Sequence, residues 1–279
     1  MLHQHQLSRQ IGYGVAFSLL IILSGLSVFN DSALQASIET NLIGDTIPSP
    51  GETIPAAGTN VNVLHLASFG PDTSVTITIS GTKSLQTFNQ IEIGDTTGYL
   101  SIGSGASQIS VTPTGSTTPV INQSLTFQAD QAYTVIVIGD GTNQPLSLRS
   151  LVDTTTASPD LMGKLRVVHA APFSANLADT TLNIVTQAGD SVNPSLNNLQ
   201  YGGNSGFLTL PTGKYDWKVE LANDNSLYVD LPPFTLNIDA VLTLYIVGDG
   251  THQARAGLLM ILTPGSKPEI LYSPAFLRS

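Results

Sequence analysis

The chain has 279 residues, room for one large domain or two of ordinary size. Its net charge is −10, from 20 acidic and 10 basic residues, which argues against a nucleic-acid partner, since phosphate binding needs clustered Lys and Arg. Cysteine is absent, so disulfides, thiol chemistry and Cys-ligated metals are excluded. Only 11 % of residues are charged against 41 % hydrophobic; the polar remainder is rich in Thr, Ser, Asn and Gln, which favours strands and turns over exposed helices.

Residues 1–36 read as an export signal. His3 and Arg9 lie in a weakly positive start, and Val15 to Phe29, VAFSLLIILSGLSVF, is an apolar run of signal length that is short for a membrane span. Cleavage is expected after Ser27 or Ala36, and the alternative is an uncleaved anchor helix touching a membrane only through residues 15–29. Either way the rest of the chain is expected outside the cell or on its surface. Residues 37–60, with Pro48, Pro50, Pro55, Gly44, Gly51 and Gly58 among Thr and Ser, read as an extended spacer.

A first β-module is expected over 61–153. VNVLHLASF opens it as a strand, and SVTITIS alternates Val75, Ile77 and Ile79 against Thr76 and Thr78. Phe88–Ile93, Gly98–Ile102, Gln108–Thr112 and Val120–Phe127 are further strand candidates. The dense run YTVIVI, Tyr133 to Ile138, suits a central strand, and it stops at Gly139-Asp140-Gly141-Thr142, a tight-turn signal. Leu146–Val152 closes the module, and 154–163 is a linker.

A second module over 164–264 replays this order. LRVVHAAPF matches VNVLHLASF with His169 in the place of His65, GFLTLPTG matches GYLSIGSG, and LTLYIV before Gly248-Asp249-Gly250-Thr251 matches YTVIVI. The offset drifts from 104 to 109 between these landmarks, so small insertions fall between strands. Tyr215, Trp217, Val219 and Leu221 share one face of a single predicted strand, with Asp216, Lys218 and Glu220 on the other. Residues 265–279 read as a short Pro-containing tail. Seven or eight strands per copy and no convincing helix in either imply an all-β sandwich or barrel.

The landmarks resemble the DUF4397 family of exported bacterial and archaeal proteins. In the second module the resemblance rests on Arg166-Val167-Val168-His169-Ala170-Ala171-Pro172 and on Gly206 to Tyr215; in the first it rests on Val63 to Ser68 and Gly98 to Ile102. The first copy departs more, lacking the Pro that follows His-x-x in the second. The resemblance implies two tandem immunoglobulin-like antiparallel β-sandwiches and an exported location; it implies no chemistry.

His65 and His169 recur at the end of the first strand of each module. No second His or carboxylate sits at ligand spacing nearby, so each is expected as a half-buried ring bonded to a loop carbonyl. Asp140 and Asp249 are read as turn residues, because a calcium loop needs several oxygens at alternate positions and only Asn143 and His252 stand near them. Asp130 and Asp239 are read as turn acceptors, Trp217 as a core residue, and Tyr201 and Tyr228 as exposed loop aromatics. No nucleophile elbow, P-loop or dinucleotide fingerprint is present. No catalytic, cofactor-binding or metal residue is assigned. The function expected is non-enzymatic: a cell-surface or extracellular structural or adhesion module, its partner an extracellular polymer or another surface protein. A glycan- or polymer-binding protein is the second reading and a secreted hydrolase the third.

Overall fold

The computed structural model describes residues 58–68, 74–82, 85–154, 158–261 and 269–272, all within the compact unit Ser49–Ser279. The expected export helix, most of the spacer and residues 273–279 lie outside the described residues. No helix among the described residues is long and apolar enough to cross a membrane.

The first copy has eight strands: β1 (Asn60–His65), β2 (Val75–Ser80), β3 (Leu85–Ile91), β4 (Leu100–Ser101), β5 (Gly105–Pro113), β6 (Ile121–Phe127), β7 (Ala132–Ile138) and β8 (Ser147–Asp153). They form two sheets, ordered β4-β1-β7-β8 and β3-β2-β5-β6. The second copy runs β9 (Met162–His169), β10 (Leu182–Thr186), β11 (Ser191–Leu199), β12 (Asn204–Pro211), β13 (Gly213–Tyr215), β14 (Trp217–Leu221), β15 (Leu227–Asp230), β16 (Phe234–Leu236), β17 (Val241–Val247), β18 (Ala256–Ile261) and β19 (Glu269–Tyr272). Its sheets, β12-β9-β17-β18-β19 and β11-β10-β14-β15, repeat the first copy's order. The all-β reading therefore holds, and the repeat is visible in topology. One feature corrects the expectation of wholly antiparallel sheets. β1 pairs with β7, and β9 with β17, in parallel, because each pair joins the start of a copy to its penultimate long strand.

Three further expectations are corrected. The stretch read only as a Pro-containing tail includes β19, which adds a fifth strand beside β18. Residues 191–199, for which no strand was expected, form β11. The predicted strand from Tyr215 to Leu221 is split at Asp216: Tyr215 pairs with Phe234 in a separate two-stranded ribbon, and Trp217 starts β14. The partner strand is split as well, into β15 and β16, by Leu231-Pro232-Pro233. Proline has no N–H to give a ladder, so two in succession end the pairing. The first copy's β5 and β6 pair without interruption from Gly105 to Val111.

The β1, β7, β9 and β17 strands are buried on both faces, which explains why β7 and β17 are continuous apolar runs. One face of each completes its own sandwich core: Val61, Val63, Val135 and Val137 pack on Ile77, Ile79 and Ile109 in the first copy. Leu165, Val167, Leu244 and Ile246 pack on Ile184, Trp217 and Val219 in the second. The other faces meet each other. Leu64, Leu66, Ile136, Ile138 and Leu151 of the first copy form a third apolar cluster with Val168, Tyr245, Val247, Leu258 and Met260 of the second. The two sandwiches thus stack as four sheets with three cores, and the middle core belongs to both.

Candidate functional site

A buried ion pair pins one part of this shared interface. Arg166, on β9, points away from Leu165 and Val167 and into the first copy, with 2 % of its surface exposed. Its Nη2 donates to Asp153 Oδ1 at 2.7 Å and to Thr243 Oγ1 at 3.1 Å, and its Nη1 donates to the Val152 carbonyl at 2.9 Å. The guanidinium lies 4.5 Å from the centre of the Phe207 ring. Asp153 Oδ2 accepts from Tyr99 Oη and Thr134 Oγ1, each at 2.7 Å. Burial pushes the Asp153 carboxyl up, and the guanidinium and the two hydroxyls pull against it.

The two Gly-Asp-Gly-Thr turns also meet at the interface. Asp140 Oδ1 accepts from the backbone N–H groups of Thr142, Asn143 and Gln144, and Asp249 Oδ1 accepts from those of Thr251, His252 and Gln253. The preceding glycines are required: a Cβ on Gly139 would lie 2.5 Å from the Pro145 carbonyl oxygen, with φ at +109°. The Asp140 turn reaches for the second copy. Asn143 Nδ2 donates to the Pro172 carbonyl at 3.0 Å, and Gln144 Nε2 to the Ser174 carbonyl at 2.7 Å. Ligating atoms of Asp140, Asp249 and His252 come within 4.8 Å of one another.

This convergence has no signal in local spacing, because the two aspartates are 109 positions apart. The second oxygens are already engaged: Asp140 Oδ2 accepts from Asn143 Nδ2 at 2.9 Å, and Asp249 Oδ2 lies 2.5 Å from His252 Nδ1. Burial pulls the Asp249 carboxyl up, but hydrogen bonds from Gln253, His252 and Thr251 outweigh it and hold the group below the ordinary carboxylate range. The geometry is that of two facing turn caps, short of the six to eight oxygens of a calcium site.

His65 and His169 do not join this cluster. Both are fully buried rather than half-buried. His169 Nε2 lies 2.6 Å from the Thr180 carbonyl, and its Nδ1 accepts from the Ala171 N–H at 3.2 Å. A carbonyl can only accept and an N–H can only donate, so the ring is neutral with its proton on Nε2. Phe173 stacks on the ring and Tyr201 meets it edge-on. Burial pushes the pKa down to about 4, against the Thr180 bond, which raises it. The folded chain therefore binds fewer protons at His169 than the unfolded chain does below pH 6.5. Stability from this group is complete above pH 6.5 and is lost as pH falls toward 4, by about 3 kcal/mol in all. Urea unfolding of the protein and of His169→Asn across that window should show the slope in the first and a flatter line in the second.

Asp130 and Asp239 both sit at φ +57°, the left-handed position of the turn before β7 and β17. Trp217 is a core residue, 5.5 Å from Phe234 and 5.3 Å from Tyr215 between ring centres. The two tyrosines expected on exposed loops are not exposed. Tyr228 is buried in the second core with its hydroxyl donating to the Gly248 carbonyl, and Tyr201 packs against the shared core. Both side chains are apolar bodies with one polar tip, which composition alone cannot place.

The split ladder of the second copy leaves an open cleft with a volume of about 440 Å³ beside Leu231-Pro232-Pro233. Gln187 Nε2 donates there to Asp230 Oδ1 at 2.7 Å and to Asp216 Oδ1 at 3.1 Å. Sequence reasoning passed over this pair; Asp230 shortly before Pro-Pro was the available signal.

The model of a domain of unknown function, DUF4397, matches residues 59–178. The DUF4397 match covers the first copy and continues through β9 to Ala178, so it includes Pro172 and Ser174, which receive the Asp140 turn. No curated protein matches the chain. Among solved structures, the Bacillus anthracis TIE protein is similar at 11 % identity and a TM-score of 0.22, over 67 % of this chain and 33 % of that one. The chain thus spans about a third of that protein's length. A candidate adhesin from Bacteroides ovatus is similar at 8 % identity and a TM-score of 0.18, over 77 % of this chain and 96 % of that one.

Proposed function

We propose that this is a non-enzymatic, exported protein. In it two DUF4397-type, immunoglobulin-like sandwiches form one stiff structural or adhesion module, outside the cell or on its surface. The observation that carries this reading is the shared core of the two copies, closed by the Arg166–Asp153 pair. A fused four-sheet stack resists bending between copies, as a spacer or scaffold must. The recurrent His and Asp residues are spent on holding turns and strand exits, which supports a framework role for what the two copies have in common. The partner is an extracellular polymer or another surface protein.

The glycan-binding reading has less support, because no Trp, Tyr or Phe among the described residues of 58–260 is exposed to stack on a sugar. The hydrolase reading has one specific observation in its favour, the convergence of Asp216 and Asp230 on Gln187. Both carboxylates are exposed, whereas a carboxyl serving as general acid at neutral pH is desolvated. Fractionation of native cells tests the leading reading. Recovery in the medium, or at the surface in a form that added protease digests, is expected. Recovery in the cytosol overturns it.

A further inference from the structure

The broken ladder of the second copy opens an apolar groove that continues the acidic cleft. Leu231, Pro232, Pro233, Phe234, Leu244 and Leu259 line it, and its volume is about 290 Å³. The groove and the cleft share Leu231, Pro232 and Pro233, so apolar surface and negative charge lie side by side. The equivalent ladder of the first copy is unbroken. The site therefore belongs to what the two copies do not share.

We propose that groove and cleft together dock an extended, lysine-bearing segment of another surface protein, with an apolar side chain in the groove and the lysine ammonium between Asp216 and Asp230. This names the partner of the surface-module reading and rests on that reading. Charge complementarity selects a cation. Asp216 and Asp230 are exposed, and among the described residues no Lys or Arg forms an ion pair with either; Lys218 pairs with Glu220 instead. Gln187 Nε2 stands where the cation would sit. Three oxygens converge on it: Asp230 Oδ1 at 2.7 Å, Asp216 Oδ1 at 3.1 Å and the Trp217 carbonyl at 3.4 Å. A primary amide offers two N–H groups and no charge, whereas an ammonium offers three N–H groups and a full charge. Oxygens gathered around one point suit the compact ammonium of lysine better than the planar fork of arginine. Gln187 is itself exposed, so its side chain is free to give way. The open shape selects an extended chain, since small-ligand pockets enclose most of their ligand. Side chains two apart in such a chain project to one side about 7 Å from each other. That spacing sets an apolar residue and a lysine over the adjoining groove and cleft.

Calorimetric titration of the full chain with capped pentapeptides tests the proposal. Gly-Phe-Ser-Lys-Gly and Gly-Lys-Ser-Phe-Gly present the pair in the two chain directions. At least one should bind saturably, and more weakly as salt is raised. Gln in place of its Lys, or a protein carrying both Asp216→Asn and Asp230→Asn, should weaken binding about tenfold, the equivalent of one lost charge-assisted contact. Arg in place of Lys, and Ala in place of Phe, should each bind more weakly than the parent peptide. Gln187→Ala frees the three oxygens and should tighten binding of the Lys peptide. The three altered side chains are exposed, so the fold is expected to survive each change. No saturable binding of either peptide at millimolar concentration, equal binding of the Lys and Gln peptides, or indifference to the double Asn change would each overturn the proposal. So would a dimer of the full chain that the double Asn change dissociates, since the occupant would then be a second copy. Peptide binding does not depend on where cells keep the chain. Recovery of the native protein at the surface without peptide binding would therefore sink this proposal and leave the surface reading standing.

Discussion

Replacing Asp153 by Ala should lower the stability of the whole stack by about 3–5 kcal/mol, the usual cost of leaving one member of a buried ion pair alone. Arg166 would keep its charge at 2 % exposure with its nearest acceptor gone. Tyr99 and Thr134 would lose the oxygen to which both donate. Burial gives these groups no water to turn to. At this chain length each kcal/mol moves the melting temperature by about 2–4 °C, so a fall on the order of 10 °C is expected. Thermal unfolding by circular dichroism checks it. The double replacement Asp153→Leu with Arg166→Met removes both charges and should recover most of the loss, because a buried pair adds little over apolar residues of similar volume. If Asp153→Ala were neutral, the pair would not be closing the interface.

How much of this was legible in the sequence depended on how local the cause was. The continuous apolar runs Tyr133–Ile138 and Leu242–Val247 announced central strands, and both are. The same runs hold a second signal. A strand with no wet face must be covered twice, and one sandwich covers it once. The second cover is the other copy. Arg166 reads locally as a polar residue on the outer face of its strand, which is correct for an isolated sandwich; docking the copies turns that face inward. The same step brings Asp140 to Asp249. The split of the predicted Tyr215–Leu221 strand was missed because alternation continues across Asp216, whereas Pro232-Pro233, in the neighbouring strand, breaks the pairing. His169 was placed correctly at a strand exit, but its depth came from Phe173 and Tyr201, whose positions are tertiary.

The second large effect concerns cooperativity. Thirteen buried apolar residues make the middle core, five from the first copy and eight from the second. At even about 1 kcal/mol each, below the usual 1.5–3 for a fully buried aliphatic or aromatic side chain, the coupling is on the order of 10 kcal/mol. A whole domain is held by only about 5–15 kcal/mol. Neither copy can therefore unfold and leave the other intact, since the survivor would face water with a sheet of Val, Leu, Ile and Tyr. The central claim is that the two copies form one unit, and equilibrium urea unfolding tests it most directly. Trp217 fluorescence follows the second copy, and a fluorinated tyrosine signal from Tyr133 follows the first. The account predicts a single transition with coincident midpoints from both probes. Two separated transitions, with one copy still folded while the other is unfolded, would contradict it.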